Sequence, residues 1–143
     1  MIKIIQPQTA EEWEQYYLLR YNVLRKPWNQ PLGSEKDDQE ETSIHFFAMS
    51  ANEPAGVCRL QYNSLTEAQL RFMGVDDRFR GQKIGKLLIA EAEKVAREAG
   101  RNKMVLQARD NAVKFYESCG YQITEKSFLL WETIQHYKME KSL

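Results

Sequence analysis

The stretch Arg80-Gly81-Gln82-Lys83-Ile84-Gly85-Lys86 is the part of the chain whose residue types most clearly suit a chemical task. It joins a glycine-containing turn to the start of an apolar-periodic helix. Unpaired amide groups and the helix dipole make such a junction an anion site, and small residues let a phosphate approach the main chain. Arg80, Lys83 and Lys86 add positive charge there, so the spacing points to a phosphorylated cofactor. An ordinary strand-to-helix turn with solvated lysines would look similar, because short glycine patterns are weak signals. Two other phosphate motifs are excluded. Gly85-Lys86 is followed by Leu87, not by the Ser or Thr of a Walker loop, and the dinucleotide fingerprint lacks its third glycine and its acidic partner.

Other chemistries find less support. His45 and His136 lie in separate segments, and Cys58 and Cys119 have no Cys-x-x-Cys spacing, so no metal cluster and no disulfide scaffold is expected. Lys plus Arg and Asp plus Glu both total 20, which argues against a broadly basic nucleic-acid binder. No apolar run reaches membrane-spanning length and the N-terminus does not read as a signal peptide, so a cytoplasmic protein is expected. At 143 residues the chain fits a single domain, 1–143.

The elements that must position the anion site follow from periodicity. Ile2 to Ile5 reads as a strand, and Thr9 with Glu12 has capping-box spacing for a helix carrying Trp13, Tyr16, Tyr17, Leu19, Val23 and Leu24. Pro27 and Pro31 break that helix, and the acidic run Glu35 to Glu41 is expected to be solvated. Strands are expected at 44–49, 56–62 and 68–75. In the third, Ala68, Leu70 and Phe72 share a face, but alternation is lost at Met73-Gly74-Val75, as at a bulge. Ile84, Leu87, Leu88, Ala92, Val95 and Ala96 recur at helical spacing up to Gly100. A strand at 103–107, a helix at 112–119 capped by Asp110 or Asn111, and an antiparallel pair at 121–123 and 134–139 complete an α/β (α+β) order with a mixed sheet flanked by helices.

The segment Val75 to Leu88 resembles the central Arg/Gln-x-x-Gly-x-Gly/Ala motif of the GNAT superfamily of N-acetyltransferases, with Arg80 and Gly85 at its first and last positions and Lys83 where a glycine is usual. Asp110 to Tyr121 is similar to the second signature, Asn-x-x-x-x-Phe-Tyr-x-x-x-Gly-Phe/Tyr. The resemblance implies a mostly antiparallel central sheet with a splayed parallel strand pair, and acetyl-CoA as co-substrate without a metal. It implies that main-chain amides of Arg80, Gly81, Gln82, Lys83, Ile84, Gly85 and Lys86 hold the pyrophosphate. The pantetheine would then run beside Met73, Gly74 and Val75, and Tyr116 would protonate the departing thiolate. Asn111 either bonds the pantetheine or caps its helix. The implied reaction is direct attack of a primary amine, more naturally a small molecule than a protein, on acetyl-CoA. A non-catalytic acyl-CoA-binding module is the alternative, and a homodimer is compatible with either. Tyr16, Tyr17, Trp28, Arg59 and Trp131 would select the acceptor or else belong to the core; His45 and His136 are open candidates for the base, and Asp76 and Glu132 are no better supported.

Overall fold

The computed structural model describes all residues 1–143. Strand β1 (Ile2–Ile5) leads through Pro7 into helix α1 (Ala10–Leu24), followed by a 3-10 turn at Lys26–Trp28. Three antiparallel strands come next: β2 (Ile44–Ser50), β3 (Glu53–Tyr62) and β4 (Glu67–Val75). Helix α2 (Ile84–Glu98), β5 (Lys103–Arg109) and the short helix α3 (Val113–Ser118) precede the hairpin of β6 (Gln122–Leu130) and β7 (Ile134–Ser142). One seven-stranded sheet in the order β1-β2-β3-β4-β5-β7-β6 runs through the chain, and β4 with β5 is its parallel pair. No helix is long and apolar enough to cross a membrane.

Local chemistry explains the starts and turns. Thr9 accepts from the Glu12 amide while the Glu12 carboxylate accepts from the Thr9 amide, satisfying two orphan donors at the start of α1. Ala51 and Asn52 both take positive φ, 50° and 67°, the left-handed residue conformation whose turn matches the right-handed twist of the flanking strands in a tight hairpin. Strands β6 and β7 extend well beyond the expected 121–123 and 134–139, because their outer face is polar and alternation there is weak.

The two faces of the sheet differ. On one, Ile84, Leu88, Ile89, Ala92 and Ala96 of α2 pack on Phe46, Leu60, Leu70, Met104, Leu106 and Met139. Each large aliphatic side chain buried here contributes about 1.5–3 kcal/mol relative to exposure. On the other, α1 sets Tyr16 and Leu19 against Phe47 and Val57, and its approach is close: a Cβ on Gly74 would lie 3.0 Å from Val23 Cγ1.

That second face also buries charge. Arg20 and Arg59 are both fully buried. Arg20 donates to Glu40 Oε1 at 2.9 Å, and Arg59 donates to Glu40 Oε2 at 2.8 Å and to Asp37 Oδ1 at 2.6 Å. The acidic run is therefore not a solvated segment. It is a strap whose carboxylates neutralise two arginines that the sheet and α1 have taken out of water, and Glu35 is itself buried. Burial alone would raise the Asp37 pKa, but hydrogen bonds from Arg59 and the Gln39 amide, with the charges of Arg59 and Arg71, outweigh it and hold the carboxyl at about 2.

Two consequences can be measured. Replacing Glu40 by Gln strands the buried Arg20 charge and leaves Arg59 with Asp37 alone, so Glu40→Gln should cost about 3–5 kcal/mol in denaturant unfolding. The exposed Arg80–Asp77 pair is as short, at 2.6 Å, yet Asp77→Asn should cost under about 1 kcal/mol; equal costs would show that the strap is not a structural counter-ion. Because folding depresses the Asp37 pKa, its contribution is present above the ordinary carboxylate range and is lost as pH falls towards 2. Asp37→Asn should therefore flatten the acid limb of a stability–pH profile measured between about pH 4 and pH 2.

Candidate active site

The parallel pairing of β4 with β5 runs only from Glu67↔Lys103 to Leu70↔Leu106. Beyond it the strands part, and β4 stays paired with β3 alone through Gly74 and Val75. The cause is a bulge: Phe72 has φ +54°, and the register with β3 slips between Val57 and Arg59. The irregularity expected at Met73-Gly74-Val75 thus begins one residue earlier. It also sends Phe72 away from the face of Ala68 and Leu70, onto the α1 side, while Met73 and Val75 pack against the α2-side core. The β5-facing edge of Arg71 to Val75 is left without a ladder partner.

This open edge leads through a 3-10 turn, Asp77–Phe79, into the Arg80–Lys86 loop. Gly81 has φ +84° and Lys83 φ +62°, and no side chain caps the start of α2. The amides of Gly81, Lys83, Ile84, Gly85 and Lys86 make no hydrogen bond within the protein. Five free donors at the positive end of a helix form an anion cradle. Lys83 occupies the left-handed conformation that explains why a glycine is usual there, at a backbone cost of about 1–2 kcal/mol. Gly85 has a different reason: a Cβ would lie 2.9 Å from Phe115 Cζ, so the glycine lets α3 close against α2. Arg80 is paired with Asp77, whereas Lys83 and Lys86 are exposed and unpaired.

On the other side of the opening, β5 ends at Arg109 and passes through a 3-10 turn, Asp110–Ala112, into α3. Neither Asp110 nor Asn111 caps that helix, and Asn111 is exposed. Tyr116 is only 7% exposed, stacks edge-on to Phe115 and Tyr121, and its hydroxyl has no hydrogen-bond partner. Burial raises its pKa, as do Cys58 and Cys119, while the nearby Arg109 charge opposes them. The phenol is therefore protonated at neutral pH. Burial likewise pushes the Cys58 thiol up, out of the thiolate range.

The histidines separate cleanly. His45 has both ring nitrogens engaged, Nδ1 with Tyr16 Oη at 2.8 Å and Nε2 with the Glu40 carbonyl at 2.7 Å, so it serves the buried charge network. His136 uses only Nδ1, at 3.0 Å from the Ile134 carbonyl, and leaves Nε2 free. It stacks on Phe128 and pairs across β5–β7 with Arg109. Burial lowers its pKa and the Arg109 charge adds to this, so its imidazole is neutral at neutral pH.

Above the same opening, Trp28 and Trp131 meet at 6.1 Å between ring centroids. Trp131 and Glu132 form the tight β6–β7 turn with φ 50° and 60°, a strained conformation for residues other than Gly or Asn. Of the residues expected to select the acceptor, Trp28 and Trp131 converge here. Tyr16 and Arg59 are instead fully buried beneath the strap, and Tyr17 bonds Glu40. Arg25, Phe72 and Arg109 also reach this place without having been singled out, since an arginine near a helix end or strand end carries no pattern of its own.

The match to known proteins agrees with this geometry. The family model described as an acetyltransferase (GNAT) domain matches residues 9–143. The uncharacterized N-acetyltransferase YjcF of Bacillus subtilis is 26% identical over 140 residues, covering 98% of this chain and 99% of that protein. An acyl-CoA N-acyltransferase from Pseudomonas aeruginosa superposes with a TM-score of 0.82 at 18% identity, covering 99% and 98% of the two chains. An aminoglycoside 6'-N-acetyltransferase solved with coenzyme A gives a TM-score of 0.80 at 18% identity, covering 99% and 96%. With its domain model spanning nearly the whole chain and its opened parallel pair leading into an uncapped helix, this protein belongs to the GNAT acetyltransferase family and is an acyltransferase.

Proposed function

We propose that the chain transfers an acetyl group from acetyl-CoA to a primary amine by direct attack in a ternary complex, with residues 1–143 acting as one domain. The observation that carries this reading is the continuity of two unsatisfied backbone features. The free edge of β4 at Arg71 to Val75 runs directly into the five free amides between Gly81 and Lys86. A pantetheine arm lying along Met73, Gly74 and Val75 as an added strand would bring its pyrophosphate onto Arg80, Gly81, Gln82, Lys83, Ile84, Gly85 and Lys86. Fold relatives solved with coenzyme A or acetyl coenzyme A support that choice of ligand.

The thioester would then lie at the Phe72 bulge, between β4 and the end of β5. There the amine nitrogen attacks the thioester carbonyl carbon; the carbon–nitrogen bond forms and the carbon–sulfur bond breaks. The negative charge passing through the carbonyl oxygen is stabilised by a main-chain amide of the bulge. Tyr116 gives its proton to the departing sulfur, and the Arg109 charge steadies the phenolate so formed. The amine proton leaves to a base, directly or through water. His136, with Nε2 free and neutral, suits that role and His45 does not. Asn111 is exposed beside the opening, within the segment that would flank the pantetheine, and a contact there is its remaining role.

Coenzyme A at millimolar concentration should raise the melting temperature, since a ligand that binds only the folded chain stabilises it by mass action. Gly85→Glu should abolish that rise by placing negative charge in the cradle and displacing Phe115. Lys83→Gly should keep the rise and should not lower the intrinsic Tm, because it relieves left-handed backbone. A normal rise in Gly85→Glu would mean that the phosphate site lies elsewhere.

Tyr116→Phe should lower kcat at least about tenfold with coenzyme affinity nearly unchanged; an unaltered kcat, where chemistry limits the rate, would leave Tyr116 a packing residue. Burial of Cys58 as a neutral thiol argues against a covalent route. The Cys58→Ala, Cys119→Ala double variant should therefore retain most activity, with initial-rate lines for the two substrates that intersect. Parallel lines, or an acyl group on either cysteine, would overturn direct attack.

A further inference from the structure

The chain treats its arginines in two ways. Arg20 and Arg59, which are structural, are each matched to a carboxylate of the Asp37–Glu40 strap. Arg25 and Arg109, both half-buried at the mouth of the β4–β5 opening, have no carboxylate partner. Arg25 bonds only main-chain carbonyls, of Leu24 and Ser34. Arg109 makes no hydrogen bond to the protein, and its Cζ lies 4.2 Å above the Trp28 ring. Arg25 lies 5.5 Å from the Trp131 ring and 5.5 Å from Phe72. Arg71 sits 5.0 Å over the same Phe72 ring, and its one acidic contact, Asp37 at 3.4 Å, is already engaged by Arg59.

Three cations thus gather on one aromatic floor in a chain of zero net charge, on the side of the opening away from the anion cradle. The grouping is electrostatically unfavourable as it stands. Desolvation lowers the Arg25 pKa first, the charges of Arg109, Arg20 and Arg71 lower it further, and the nearby Glu35 charge opposes them only in part. Like charges gathered here, with no carboxylate partner for the half-buried Arg25 and Arg109 and only a shared one for the exposed Arg71, mark a place where an anion completes the structure. Arg109 alone has all of its donors free, in the planar fork that matches carboxylate or phosphate oxygens. The indole faces of Trp28 and Trp131 hold the guanidinium planes in place, as a flexible lysine would not be held. Gln107 adds an unmatched polar atom on the same face of β5, since its Oε1 is buried with no donor. This oxygen suits an N–H of the same ligand.

We infer that the acceptor amine carries an anionic group, a carboxylate or a phosphate, bound by Arg25 and Arg109 between Trp28 and Trp131 with Arg71 at the rim. This rests on the acetyl-transfer reading above for its location and deepens it by naming the substrate class. The arrangement disfavours polyamines and other multiply cationic amines, whose added charge would meet the three arginines unscreened.

Paired probes that differ only in the anion test it. Binding of O-phosphoethanolamine against ethanolamine, and of β-alanine against propylamine, can be followed by tryptophan fluorescence and by thiol release from acetyl-CoA. At least one anionic member should bind about tenfold more tightly than its neutral twin, a difference that a charge-assisted fork contact readily supplies. The pair that shows the preference tells phosphate from carboxylate. Arg109→Gln and Arg25→Gln should each bring that ratio close to one, while Arg78→Gln, exposed in the turn after β4 and paired with Glu53, should leave it unchanged. Equal affinities within both pairs, no saturable binding by either anionic probe, or a preference for spermidine would overturn the inference. The unmodified protein decides this, so a variant that fails to fold does not matter. If coenzyme A itself gives no thermal shift, the acetyl-transfer reading fails separately, because the anion preference is read by fluorescence without coenzyme.

Discussion

Backbone hydrogen bonding that stops at Leu70 and Leu106 governs the rest of this molecule. A strand in the middle of a sheet ordinarily has both edges paired, and an unpaired buried amide or carbonyl costs about as much as a lost hydrogen bond. Strand β4 abandons one edge half-way along and yet stays in place. It does so because β3 holds its other edge, α2 packs Met73 and Val75 from one side, and α1 crosses Gly74 closely from the other. The positive φ at Phe72 stores strain at the very point where the edge opens. A ligand that binds as an added strand recovers the missing hydrogen bonds, so the fold is prepared for occupancy along that line.

The charge pattern follows from the same opening. Turning Phe72 onto the α1 side puts an aromatic ring under Arg20, Arg25, Arg59 and Arg71, at 4.4 to 5.5 Å from each guanidinium carbon. Two of these arginines are sealed beneath and neutralised by Glu40 and Asp37. The strap that carries those acids is thereby fixed beside the opening. His45 completes this buried set, which is why a histidine on a strand is here a structural donor and acceptor and not a base. A buried ion pair is weak evidence of net stability, because the cost of desolvating its charges offsets their attraction. Here the network keeps α1, the strap and β3 in one register beside the opening.

Much of this architecture was legible from residue order alone. The helical spacing of Ile84 to Ala96, the Thr9 capping box and the glycine-bearing turn before α2 each depend on near neighbours, and each is found where the pattern places it. The second signature led to Tyr116 for the same reason, because α3 and its flanking turn are a local unit. The exceptions are instructive. Phe72 was grouped with Ala68 and Leu70 by simple alternation, and a one-residue bulge reversed its face. Asp110 and Asn111 have capping side chains, yet a 3-10 turn takes the place of the cap they would have made.

Amino-acid sequence by itself determined the elements, the family and the position of the glycine-bearing turn before α2, since these rest on periodicities and on contacts a few residues apart. Only the tertiary structure decided which charges are matched. Arg59 meets Asp37 and Glu40 across about twenty positions of chain, and Arg25 with Trp28, Arg109 and Trp131 come from three separate segments. Burial turns an acidic run that composition reads as solvated into a counter-ion strap. It leaves two arginines beside the opening without one, because the desolvation that makes an unpaired charge costly exists only once distant segments have excluded water.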